Sequence, residues 1–170
     1  MRIAPMHRHL SLLLLLVLFA ASPAPHAEDS QDVFGSWTLR CADQDGRPEC
    51  ILFQNLVLKT GGEPVLQFGV GRVPPDTQPT VLLSLPLGIA LPPGVTIRID
   101  AGTPATFPIE RCEPDGCRAA MKLRDSTAQQ LAQGRQLEIT FYDGARKPIK
   151  VPLSLDGFGA AFKAFMAKTG

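Results

Sequence analysis

The chain has 170 residues, 45% hydrophobic, 6% aromatic and 19% charged, with a formal net charge of +1. That is the size of one domain with enough apolar content to fill a core, which argues against a disordered chain. The near-neutral balance argues against the large basic excess of a nucleic-acid binder, so no nucleic-acid partner is expected. Four cysteines and three histidines leave metal and redox chemistry to be weighed.

In chain order the first feature is an export signal. Arg2 and Arg8 flank the start, the run from Leu10 to Ala21 is largely apolar, and no acidic residue occurs before Glu28. A basic beginning, a short apolar core and small residues after it describe a secretory leader, with cleavage expected after Ala27. A helix needs about 20 apolar residues to span a bilayer, so this run is too short to serve as an anchor. No cysteine follows it closely, which removes lipid attachment at a new N-terminal cysteine. The expected division is a signal peptide at 1–27 and a single domain at 28–170.

Removing the leader changes the chemistry on offer. His7, His9 and His26 all lie within it, so the mature domain has no histidine. Without Arg2 and Arg8 the 17 basic residues become 15 against 16 acidic ones, a net charge of −1. Ser-His-Asp and Cys-His catalysis are thereby excluded, as are His-ligated zinc, copper and haem. Ser-Lys pairs and paired carboxylates remain formal options, the latter needing two acids facing across a cleft about 5–10 Å apart. No catalytic residue, metal or cofactor is assigned.

Residues 28–33 are polar and read as frayed. Trp37, Leu39 and Cys41 then alternate with Thr38 and Arg40, the period of a half-buried strand. Asp43-Gln44-Asp45-Gly46-Arg47-Pro48 reads as a hairpin tip between Cys41 and Cys50. A calcium loop fits it poorly, because the third ligand position and the closing Glu are missing. Strands follow at Ile51 to Leu58, at Val65 to Val70 and, after Pro74-Pro75-Asp76, at Val81 to Leu85. Pro86-Leu87-Gly88 and Pro92-Pro93-Gly94 are turns around the short apolar piece Ile89-Ala90-Leu91. Val95, Ile97 and Ile99 alternate again, and Asp100-Ala101-Gly102-Thr103 turns the chain. Further strands are predicted at Ala105–Arg111 and Gly116–Leu123.

The pairs Cys41/Cys50 and Cys112/Cys117 each flank their own turn, the second containing Pro114-Asp115-Gly116, so the local pairing is favoured of the three connectivities. An even cysteine count in an exported chain reads as disulfides. A redox pair lacks the Cys-x-x-Cys spacing, and an oxidising compartment disfavours zinc. Beyond them Ser126 and Gln129 form a capping box for a short helix that stops at Gly134. Leu137, Ile139 and Phe141 form the next strand. Tyr142-Asp143-Gly144 leads into Ile149 to Leu155, where Pro152 marks an edge. Asp156 is expected to cap a closing helix whose stripe, Phe158, Ala161, Phe162, Phe165 and Met166, packs over a sheet or lies on a membrane surface.

Strands spaced by turns with few helices predict an all-β sandwich, immunoglobulin-like or jelly-roll-like, of about nine strands with a short internal helix and a C-terminal amphipathic helix. A transmembrane barrel fits less well, since single Trp37 and Tyr142 residues cannot form aromatic girdles and prolines punctuate the strands.

Trp37 four residues before Cys41, the nearby Cys50, and the central Leu85-Pro86-Leu87-Gly88-Ile89 continuing through Gly94 to Asp100 form one pattern. Gly116 before Cys117 and the closing Leu153-Ser154-Leu155-Asp156-Gly157-Phe158 complete it. Over Phe34 to about Phe165 this pattern resembles the invasion-associated locus B family. The resemblance implies a β-sandwich exported by Gram-negative bacteria, in a family linked to host-cell invasion, and it carries over no catalytic residue. The motif residues Trp37, Pro86, Gly88, Gly94, Asp100, Gly116 and Phe158 also have structural explanations, as turn and core positions. The expected protein is therefore a non-enzymatic envelope protein, periplasmic or else associated with the outer membrane or secreted. Its partner would be an envelope or host-surface protein; no transmembrane segment is expected after cleavage, and peripheral membrane association stays open. The competing reading is a periplasmic module binding a small ligand or glycan.

Overall fold

The computed structural model describes residues 30–44, 47–57 and 64–170; the expected leader, its cleavage site, the Asp45-Gly46 turn and the strand end at Leu58 lie outside the described residues. Among these residues the strands are β1 (Ser30–Phe34), β2 (Trp37–Gln44), β3 (Arg47–Val57), β4 (Pro64–Arg72), β5 (Pro79–Leu85), β6 (Val95–Ile99), β7 (Ala105–Phe107), β8 (Ile109–Glu113), β9 (Gly116–Lys122), β10 (Gln136–Tyr142) and β11 (Pro148–Ser154). The helices are α1 (Asp125–Gln133) and α2 (Phe158–Thr169). Seven strands form one sheet in the order β1-β2-β3-β4-β5-β9-β8, and four form a second in the order β11-β10-β6-β7. All neighbours are antiparallel.

The two-sheet, all-β reading holds, and its faces follow the alternation in the sequence. On the large sheet, register places Leu39 opposite Leu52, Leu52 opposite Val70, Val70 opposite Val81 and Phe68 opposite Leu83. All six are buried, so they make a continuous inner row. From the small sheet, Val95, Ile97, Leu137, Ile139, Phe141, Val151 and Leu153 join them in one core. α2 lies against β1, β2 and β3 and against α1. Its buried residues are Phe158, Ala161 and Phe165, so the apolar stripe is used in packing on the sheet rather than on a membrane.

Among the described residues eleven strands replace the expected nine, for two reasons. Ser30–Phe34, read as frayed, pairs along β2 from Ser30 opposite Cys41 to Phe34 opposite Trp37. The stretch read as one strand at Ala105–Arg111 is broken at Pro108: β7 pairs with β6 in the small sheet, and β8 pairs with β9 in the large one. A proline has no N–H to give to either ladder, so the crossing from sheet to sheet falls there.

Both expected helix caps are also corrected. α1 begins at Asp125 after an extended Arg124, which places Ser126 inside the first turn, and no side-chain cap bond forms. α2 is preceded by Gly157 at φ 85°, a left-handed position that favours glycine, rather than capped by Asp156. A Cβ on Gly157 would stand 2.1 Å from the Phe34 carbonyl oxygen, so glycine lets the helix start against the β1–β2 turn. Pro152, by contrast, lies on β11, an edge strand as expected.

Candidate functional site

Two of the motif residues, Trp37 and Phe158, meet at a joint between layers. Trp37 and Phe158 are both fully buried, with ring centroids 4.9 Å apart in an edge-to-face arrangement; Phe68 also meets Trp37 edge to face, at 5.7 Å. The Trp37 indole Nε1 donates to the Ser154 carbonyl oxygen at 3.0 Å, tying the large sheet to the end of β11. Gln54 reinforces this joint, its Nε2 donating to the carbonyl oxygens of Ser36 and Ser154. Sequence reading did not single out Gln54, because a lone glutamine in an alternating strand gives no signal of its two distant partners.

Pro86, Gly88 and Gly94 lie in the segment that carries the chain from the large sheet to the small one. Gly94 has φ 69°, and a Cβ there would stand 2.6 Å from the Phe107 carbonyl oxygen. Gly88 has φ 80°, and a Cβ there would meet nothing within 4 Å. At the other end of β6, Asp100 adopts φ 47°, and its carboxylate accepts from the backbone N–H groups of Arg135 and Gln136. Gly116 closes the β8–β9 hairpin, where a Cβ would meet the Leu85 carbonyl oxygen at 2.6 Å. Trp37 and Phe158 meet directly, whereas Gly88, Gly94, Asp100 and Gly116 serve separate joints.

The cysteines pair locally, Cys41–Cys50 across β2 and β3 and Cys112–Cys117 across β8 and β9. Each pair sits at directly opposed register positions. Cys41, Cys50 and Cys117 are buried, while Cys112 is exposed. Oxidised to disulfides, the four sulfurs cannot act as thiolates.

The carboxylates are largely engaged in holding the fold. Asp76 pairs with Lys122, Asp115 with Arg118, Glu113 with Arg111, Asp32 with Lys168, and Glu138 with Arg98 and Lys150. Asp143 accepts from the N–H groups of Ala145 and Lys147. The hydrogen bond from Lys122, then that from the Gln78 N–H, holds the Asp76 carboxyl below the usual range. Among the described residues no group of three or more His, Cys, Asp or Glu is placed to hold a metal ion.

The outer face of the large sheet carries an open groove of about 460 Å³ whose walls include Arg40, Glu49, Ile51, Gly71, Arg72 and Leu82. Arg40 stacks its guanidinium over Phe53, 5.7 Å from the ring centroid. A Cβ on Gly71 would stand 3.3 Å from Leu82 Cδ1 and one on Gly69 3.2 Å from Ile51 Cδ1, so neighbouring side chains take the space these glycines leave. No helix of the described residues is long and apolar enough to cross a membrane.

These observations define a class: a disulfide-stapled two-sheet β fold with two small helices, in which Trp37 and Phe158 meet between layers. The profile of the invasion associated locus B protein family matches residues 37–166, and the chain belongs to that family. It is 31% identical over 157 residues to an invasion protein B homolog of Brucella abortus (strain 2308), covering 91% of this chain and 89% of the relative. A homolog from Brucella abortus biovar 1 (strain 9-941) matches to the same extent. Among solved structures, the crystal structure of invasion associated protein b from Bartonella henselae superposes with a TM-score of 0.71 at 22% identity. That match covers 81% of this chain and 95% of the other, and at this identity it bears on the fold.

Proposed function

We propose that the chain is exported through cleavage of residues 1–27, and that the domain at 28–170 is a non-enzymatic envelope protein acting by surface contact. In a bacterium that enters host cells, that contact assists attachment or invasion. The observation that carries this reading is where the chemistry-bearing residues are spent. Residues 28–170 contain no histidine, the cysteines are cross-linked, and five carboxylates are paired with cations at the surface. The naming of the Brucella relatives as invasion protein B homologs supports the host-directed part. The periplasm is the compartment this reading assigns first, and an envelope or host-surface protein is its partner.

The test is a comparison of host-cell invasion by a deletion strain, its parent and the complemented strain, with mass spectrometry of the protein recovered from the envelope. Reduced entry restored by complementation, with a mature N terminus at Glu28, is expected. Equal entry removes the host-directed part, and an intact leader removes export by cleavage.

The groove beneath Arg40 and Arg72 favours a second reading, a module binding a small ligand or glycan. A thermal-shift screen against envelope metabolites and glycans tests it: no stabilisation by any compound counts against it.

A further inference from the structure

The exposed apolar side chains are not spread evenly. Val33, Val57 and Met166 lie on β1, β3 and α2 and Val73 follows β4, each apart from the others in the chain, whereas Leu87 and Leu91 lie in one loop, 54% and 42% exposed. The loop runs from Pro86 to Gly94 and belongs to a stretch, Thr77 to Ile97, without a single charged residue. Its middle is fixed. Ile89 packs on the core and forms a β-bridge with Asp143, and the Ala90 N–H donates to the Tyr142 carbonyl oxygen at 2.9 Å. The Gly94 N–H closes the far turn on the Leu91 carbonyl oxygen, also at 2.9 Å. With Pro86, Pro92 and Pro93 added, the two leucines flank a pinned centre. Such a tip loses little conformational freedom on docking.

What lies beside the tip points to its partner. The bridge brings in the β10–β11 hairpin, where Arg146 and Lys147 are exposed and engage in no ion pair among the described residues. The acidic groups nearby are occupied: Asp143 accepts from the Ala145 and Lys147 N–H groups, and Asp115, which shares a groove with Pro86, is paired with Arg118. Half-buried Tyr142 stands at the base of the same hairpin, a side chain suited to a water–apolar boundary. A Cβ on Gly88 would meet nothing within 4 Å, and Leu87 and Leu91 on either side are both exposed, so the tip is open to solvent there. A protein partner would have to supply a pocket for it, whereas a lipid headgroup layer accepts an exposed apolar tip directly.

We propose that the 86–94 loop is a membrane-docking tip: Leu87 and Leu91 enter the headgroup–acyl boundary of an anionic bilayer while Arg146 and Lys147 lie against its phosphates. Apolar insertion and electrostatic attraction add, and together they give reversible peripheral binding. This deepens the envelope reading above and rests on it, since export brings the domain to such a surface.

The test uses the protein as recovered after export, its N terminus checked by mass spectrometry, which reports separately on export. Flotation is measured with phosphatidylcholine vesicles and with vesicles of phosphatidylcholine and phosphatidylglycerol. Binding to the anionic vesicles is expected, weakening with salt. It should fall by about fivefold for each of Arg146→Gln and Lys147→Gln. The Leu87→Ser/Leu91→Ser double variant should lose roughly tenfold or more. Val33→Ser, on an exposed residue of β1, should bind as the parent does. A Leu87→Trp variant gives a second readout, a blue shift of its added fluorescence on mixing with anionic vesicles. Failure of the parent to float, or flotation unchanged by the leucine substitutions, overturns the proposal and assigns the tip to a protein partner instead.

Discussion

Truncating Phe158 to alanine isolates the contribution of α2 to the fold. Phe158 is fully buried at the first turn of the helix, edge-on to Trp37 at 4.9 Å and stacked on Phe162 at 5.7 Å. Phe-to-Ala changes in cores cost about 3–5 kcal/mol, and two ring partners that cannot close the gap place this one at about 5 kcal/mol. Against a domain stability of about 5–15 kcal/mol, that removes a large fraction of the total. At roughly 3–4 °C per kcal/mol for a domain of this size, Tm falls by about 15–20 °C. Met166→Ala on the same helix, at a site 37% exposed, should stay within about 0.5 kcal/mol of the parent. Urea unfolding followed by far-UV circular dichroism measures both, and Trp37 fluorescence reports the local packing. If the two variants lose the same stability, α2 is not docked on the sheet, and the packing argument is refuted.

Three further comparisons follow from the same geometry. Replacing Cys41 and Cys50 by serine should cost about 2.6 kcal/mol, and replacing Cys112 and Cys117 about 2.1 kcal/mol, from sequence separations of 9 and 5; denaturant midpoints that reverse this order would count against the chain-entropy account. Gly88→Ala should cost about 1–2 kcal/mol for its left-handed backbone, whereas Gly94→Ala, which also drives a Cβ toward the Phe107 carbonyl, should cost about 3–4 kcal/mol. Equal losses in denaturation would show that the carbonyl contact does not matter. Asp76 has a lowered folded-state pKa, so its stabilising contribution is present above the ordinary value of 3.8 and is lost as pH falls through the folded value. The gap between parent and Asp76→Asn should therefore be small at neutral pH, shrink with salt because the pair is exposed, and vanish in acid.

Legibility in the sequence differed from element to element for physical reasons. Trp37, Leu39 and Cys41 announced an inner face because burial on one side of a strand enforces a period of two. The four cysteines announced their pairing because each couple flanks a turn. β1 stayed hidden: its residues are nearly all exposed, so no apolar alternation marks it, and what holds it is pairing with β2 and contact with α2, including the Asp32–Lys168 pair. The sheet change at Pro108 stayed hidden too, since both sides of it read as one extended run. Both expected helix caps failed because contacts at the layer joints, Gly157 against Phe34 above all, set where α2 begins.

The candidate surface divides in the same way. The motif glycines, Trp37 and Phe158 could be picked out one by one, but not the joints they serve. The uncharged run from Thr77 to Ile97 was there to be read, yet it contains the buried β5 strand as well as the loop tip. Which leucines face the core and which face outward depends on the bridge from Ile89 to Asp143, some fifty residues away in the chain. By itself the sequence determined class, the cysteine pairing and the residue chemistry available, because composition, period and turn signals are local. The tertiary structure alone decided which strands share a sheet, where the helices start and which apolar groups stay exposed, because those depend on contacts between segments distant in the chain.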